Sequence, residues 1–150
     1  MTGEQTAQLC AKYADDKKAE NIVIIDVRGL SPITDYFVIC TASSAPHLRA
    51  IQSEIDEWMH TNHGQAPYWR DDNFESQWLI LDYSDVMVHI FQEEKREYYS
   101  LEELWGDGKP VEVDLTAAAI VSDQAIAAVA AKAAEAAVAL AAESAPIASE

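Results

Sequence analysis

The segment Val86–Gln92 is apolar on both of its faces: Val86, Val88 and Ile90 alternate with Met87, His89 and Phe91. A strand with one wet face alternates apolar and polar residues, whereas one apolar on both sides must be covered from both sides. This makes Val86–Gln92 a central strand in a layered fold. Two other runs share its character. Ile22–Val27 and Tyr36–Thr41 are rich in β-branched and aromatic residues, and Gly29 and Pro32 break the chain between them. A fourth run, Gln77–Tyr83, is joined to Val86–Gln92 only by Ser84-Asp85, which predicts an antiparallel hairpin.

Helical patterns lie between these strands. Residues 4–19 place Leu9, Cys10 and Tyr13 on one side and leave Asp15, Asp16, Lys17 and Lys18 solvated. Ser43, Ser44 and Pro46 form a helix start. After them Leu48, Ile51, Ile55 and Trp58 or Met59 recur at helical spacing, with Gln52, Glu54, Asp56 and Glu57 mostly opposite, up to a stop at His63-Gly64. Pro67–Arg70 fits a short edge strand. Glu93–Tyr99 and Leu101–Trp105 read as one or two short helices. The order α-β-β-α-(β)-β-β-α predicts an α/β fold with a mixed sheet of four or five strands flanked by helices. Residues 1–106 form the expected domain. Asp107-Gly108-Lys109-Pro110 reads as a linker to an Ala-rich tail, 107–150, expected to be flexible or partly helical over about 122–143.

The formal net charge is −16. An acidic surface repels phosphate, because nucleic-acid affinity comes largely from Lys and Arg displacing counterions. Nucleic acid is therefore not expected as the main contact. The same charge either keeps the chain soluble or speeds its encounter with a basic protein. Cys10 and Cys40 belong to no CxxC pair and are expected as buried free thiols in a reducing cytoplasm. No secretory signal opens the sequence, and no apolar run approaches the roughly 20 residues that cross a bilayer. The expectation is a cytoplasmic protein with no membrane contact.

The sequence contains no GxGxxG, P-loop, HExxH or GxSxG motif. The histidines, His47, His60, His63 and His89, lack ligand-like spacing. Asp82-Tyr83-Ser84-Asp85 with His89, joined by Asp26 and Asp35, admits two readings. One is the acidic centre of a Mg²⁺-dependent nucleotidyl or phosphoryl transferase. The plainer one is a turn between two strands. Nothing cradles phosphate, so no enzymatic activity, metal or cofactor is expected. Trp78 shares a strand face with Ile80 and Asp82. It is either core or the aromatic anchor of a surface whose carboxylates attract Arg or Lys of a basic protein.

Asp16-Lys17-Lys18-Ala19-Glu20-Asn21-Ile22-Val23, then Asp26-Val27-Arg28-Gly29-Leu30-Ser31 and Ile33 to Thr41, resemble the opening of ribosomal silencing factors of the RsfS/Iojap family. So do Trp78 to Tyr83, Asp85 to Phe91, and the closing Arg96, Tyr99, Leu101-Glu102, Leu104 and Trp105. The blocks run in order over roughly residues 5–106.

The resemblance implies a nucleotidyltransferase-like fold without catalytic machinery. It implies docking on the large ribosomal subunit through large-subunit ribosomal protein fourteen, which blocks small-subunit joining and represses translation. Organelle relatives act in large-subunit assembly, and some members form homodimers when free. Carried onto this chain, the partner-binding residues are Trp78, Asp82 and Asp85, with His89, Asp35 and Tyr36. Two segments depart from the family pattern. Ala42-Ser43-Ser44-Ala45-Pro46-His47 replaces a Gly-Thr-Ser-Ser-Arg loop, and Tyr68 to Glu75 replaces a Gly-containing segment.

Overall fold

A computed structural model describes residues 1–71 and 73–115. The elements run α1 (Gly3–Asp16), β1 (Glu20–Asp26), β2 (Tyr36–Ala42), α2 (Ala45–His63), β3 (Trp69–Arg70), β4 (Trp78–Asp82), β5 (Val86–Gln92), α3 (Glu93–Tyr99), α4 (Leu101–Leu104) and β6 (Lys109–Val111). The sheet order is β3-β4-β5-β2-β1-β6. Among the described residues only β2 and β5 pair in parallel; the other pairs are antiparallel. The mixed α/β architecture is the one expected, but with six strands among the described residues in place of four or five.

The sixth strand arises where a linker was expected. Lys109 and Pro110 pair with Asp26 and Ile25 of β1. Proline has no N–H for a ladder, so it is tolerated on an edge strand such as this one. Gly108 lets the chain approach, since a Cβ there would lie 2.5 Å from Cγ2 of Ile25. The tail, expected to be flexible or partly helical over about 122–143, falls outside the described residues there.

Local signals set the helix ends. In α1 the Thr2 hydroxyl accepts from the Gln5 amide at 3.1 Å, and the Thr2 amide donates to the Gln5 side chain at 2.9 Å. That reciprocal box satisfies two otherwise orphan donors. Ser44 caps α2, and Gly64 ends it at φ 65°. The expected apolar stripe of α2 is buried as Leu48, Ile51, Ile55 and Met59, while Trp58 remains partly exposed. Gln52 is buried rather than solvated, and its side-chain amide donates to the Asp71 carbonyl at 2.9 Å.

Alternation along the strands separates two cores. Helices α1 and α2 cover one sheet face, with Leu9, Ile51, Ile55, Met59, Leu81, Val88 and Ile90 in its centre. On the opposite face Ile25, Val27, Phe37, Ile39, Phe91 and Leu101 form a smaller cluster. Cys10 and Cys40 are buried free thiols in the first core. Burial pushes both thiols up, Cys40 to about 12, so both are neutral and inert.

Candidate protein-docking face

The second sheet face is only partly roofed. Strand register places Trp69, Asp82, Met87, Phe37, Ile25 and Pro110 in one line across all six strands. Directly opposed residues share a face, so these side chains are neighbours. The next line is Ile80, His89, Ile39 and Val23, and the third begins with Trp78 and Phe91. Helix α3 packs on β5 and β2. Leu101 joins the cluster, and the Trp105 ring lies 5.4 Å from that of Phe37. Ile80, Asp82 and Met87 remain half-buried beyond this cover, and Trp69 is 53% exposed.

Trp78 belongs mainly to the support of this face. Its ring stacks on Phe91 at 5.0 Å and meets Tyr99 at 4.6 Å. Its indole N–H donates to Nδ1 of His89 at 3.0 Å. The acceptor role of Nδ1 requires His89 to be neutral with its proton on Nε2. Burial lowers its pKa to about 4, which agrees. The Nε2 atom is buried without a hydrogen-bond partner among the described residues.

Asp82 is placed differently. One carboxylate oxygen accepts from the Ser84 amide at 2.8 Å and sets the turn. Among the described residues no Lys, Arg or His pairs with it. It is thus a half-buried carboxylate among apolar neighbours.

The six residues marked in the sequence do not form one patch. Trp78, Asp82 and His89 share the partly open face. Tyr36 is buried on the opposite face, in the α1–α2 core, with the Arg28 guanidinium 5.4 Å from its ring centre. Asp35 and Asp85 are exposed at the β2–β5 end of the sheet, where the Asp85 carbonyl accepts from the amides of Asp35 and Tyr36 at 3.0 Å. Sequence reasoning missed Trp69 and Met87 as surface residues of this face. The β4 alternation marked Ile80, but only the β3–β4 register brings Trp69 beside Asp82.

No group of three or more His, Cys, Asp or Glu side chains is arranged to hold a metal among the described residues. Asp26 is held by Arg28 through contacts of 2.7 to 3.1 Å. That hydrogen bonding lowers the Asp26 pKa. The carboxyl ends of parallel strands are the usual ligand position in such sheets. At that end of β2 and β5 lies a hollow of about 420 Å³ whose lining includes Glu20, Glu93 and Glu94, a setting that repels phosphate.

The family model described as ribosomal silencing factor during starvation matches residues 1–143. The chain belongs to this family. The ribosomal silencing factor RsfS of Bacillus subtilis is 36% identical over 114 residues, covering 76% of this chain and 96% of that protein. A crystal structure of a Bacillus halodurans protein has a TM-score of 0.61 at 34% identity, over 70% of this chain and 94% of that one. The mouse protein named mitochondrial assembly of ribosomal large subunit protein 1 is 32% identical over 91 residues, which are 59% of this chain and 40% of the mouse protein. The family match runs through the blocks quoted from Asp16 to Trp105 and past residue 106. Among the described residues no helix is long and apolar enough to cross a membrane.

Proposed function

We propose that this chain is a cytoplasmic, non-catalytic silencing factor. It docks through the partly open sheet face on large-subunit ribosomal protein fourteen and sterically blocks joining of the small subunit. The observation that carries the reading is Asp82: a half-buried carboxylate with no cationic partner among the described residues, set between apolar neighbours. Such a group gains most from a partner's Lys or Arg, and the net charge of −16 steers a basic protein towards it. Family membership supports the ribosomal target. The test is co-sedimentation with purified large subunits. The wild-type chain is expected to pellet with them and Asp82→Lys to remain in the supernatant with its fold intact. Equal pelleting of the two would reject this face.

A second reading, a role in large-subunit assembly through the same contact, is favoured by the name of the mouse relative. Fractionated cell extracts separate the two. An assembly factor accompanies precursor large subunits, and a silencing factor accompanies mature ones. A metal-dependent nucleotidyltransferase is disfavoured by the acidic lining at the carboxyl ends of β2 and β5. It would show Mg²⁺-dependent nucleotide turnover that Asp82→Asn removes. Pairing of free chains into a homodimer belongs to the same proposal and is checked by analytical ultracentrifugation.

A further inference from the structure

Two aromatic residues stand side by side at the β3 edge of the sheet, Tyr68 just before the strand at 88% and Trp69 on it at 53% exposed. Edge strands are usually blunted with charge, because unpaired backbone and apolar side chains invite association. Here the charged neighbour, Arg70, turns to the other face and pairs with Asp56 of α2. Trp69 is left opposite Asp82, and Asp82 is opposite Met87 on its other side. A half-buried carboxylate therefore sits between an exposed indole and a thioether. Among the described residues the Trp69 ring meets no other ring or cation, and Asp82 meets no cation.

We infer that Trp69, Asp82 and Met87 form a slot for one arginine side chain of a basic protein, with the guanidinium stacked on Trp69 and hydrogen-bonded to Asp82. The slot rests on the docking reading above and names what that face recognises. Arginine fits better than lysine for a geometric reason. A planar guanidinium covers an indole face and still presents an edge of parallel donors to a carboxylate, whereas an ammonium is a point charge that satisfies one demand at a time. Met87 supplies a polarizable, adaptable wall for the arginine stem. The acidic chain supplies the long-range attraction, and the slot supplies the choice of residue.

Two measurements on the full chain test it. In the first, affinity for purified large subunits is measured for wild type, Trp69→Ala, Trp69→Phe, Asp82→Asn and the Trp69→Ala/Asp82→Asn pair, with circular dichroism confirming the fold. Trp69→Ala is expected to weaken binding about tenfold and Trp69→Phe less. The double variant should lose less than the product of the single losses, because both residues hold one group. In the second, the indole N–H signals of the four tryptophans are followed by NMR as an arginine-rich peptide, then a lysine-rich peptide of equal charge, is added. The Trp69 signal should move most, and more with arginine. A folded Trp69→Ala that binds large subunits within about twofold of wild type, or a Trp69 signal that neither peptide moves, overturns the slot. If the wild-type chain fails to bind large subunits while the Trp69 shift persists, the ribosomal reading falls and the slot stands.

Discussion

The indole of Trp78 and the imidazole of His89 are locked together across β4 and β5 by a 3.0 Å hydrogen bond to Nδ1. This bond fixes the tautomer of the histidine and the orientation of the tryptophan beneath the partly open sheet face. It also makes Trp78 a poor probe of docking, since its removal undermines Phe91 and Tyr99 as well. We expect Trp78→Phe to keep most of the packing yet leave a buried acceptor unpaired, at a cost of about 1–3 kcal/mol. Chemical denaturation measures this. A variant as stable as wild type would mean that the bond contributes nothing.

The same pair imposes a pH dependence. Burial holds His89 at about 4 in the folded chain, against an ordinary 6.5. Between these values the unfolded chain takes a proton that the folded chain refuses. This contribution is intact above about pH 6.5, declines as pH falls towards 4, and levels off below. Its full size is about 3 kcal/mol. Burial lowers His63 too, adding a loss of the same sign. Urea midpoints across this range should fall more steeply for wild type than for His89→Gln, and parallel curves would contradict the assignment.

Arg96 ties the C-terminal helices to the sheet. Its side chain is 11% exposed and donates to the Asn21 carbonyl at 2.6 Å, the Thr41 hydroxyl at 2.7 Å and Glu102 at 3.0 Å. Asn21 lies in the irregular stretch of β1 at φ 49°, so the guanidinium secures a kink as well as a helix. Arg96→Met should lower stability by about 2–3 kcal/mol, and Arg96→Lys should recover only part of it. Thermal unfolding of the two variants decides between this role and a purely surface one.

Gly108 tests whether the sixth strand belongs to the folded unit. A Cβ there meets Cγ2 of Ile25 at 2.5 Å and the carbonyls of Asp26 and Trp105 at 3.0 Å. Gly108→Ala should displace β6 from β1 and cost about 1–3 kcal/mol. Hydrogen exchange should then quicken at the β1 amides that face β6. A neutral substitution would show that β6 is dispensable.

Much of this architecture was legible because burial writes itself into period and composition. Val86–Gln92 is apolar on both faces and lies inside the sheet, between β4 and β2. The Ser84-Asp85 connection gave the antiparallel pair, and β4 alternation placed Trp78, Ile80 and Asp82 on one face. What escaped depends on pairing between distant segments. The β2–β5 parallel register puts Tyr36 on the face opposite Trp78, which no local pattern reveals. Lys109–Val111 follows Gly108 and carries the proline of a linker, and it becomes a strand only because β1 offers an edge. Trp69 gained its meaning from Asp82, thirteen residues further along the chain.

The central claim is that the sheet face bearing Asp82 occupies the large subunit and excludes the small one. Light scattering of purified subunits mixed at a Mg²⁺ concentration that favours joining reads this directly. Preincubation of large subunits with saturating wild-type protein should suppress the rise in scattering. Asp82→Lys should leave the rise as it is without protein. A full rise with the wild-type chain bound to its subunit, or equal suppression by a folded Asp82→Lys, would contradict the account.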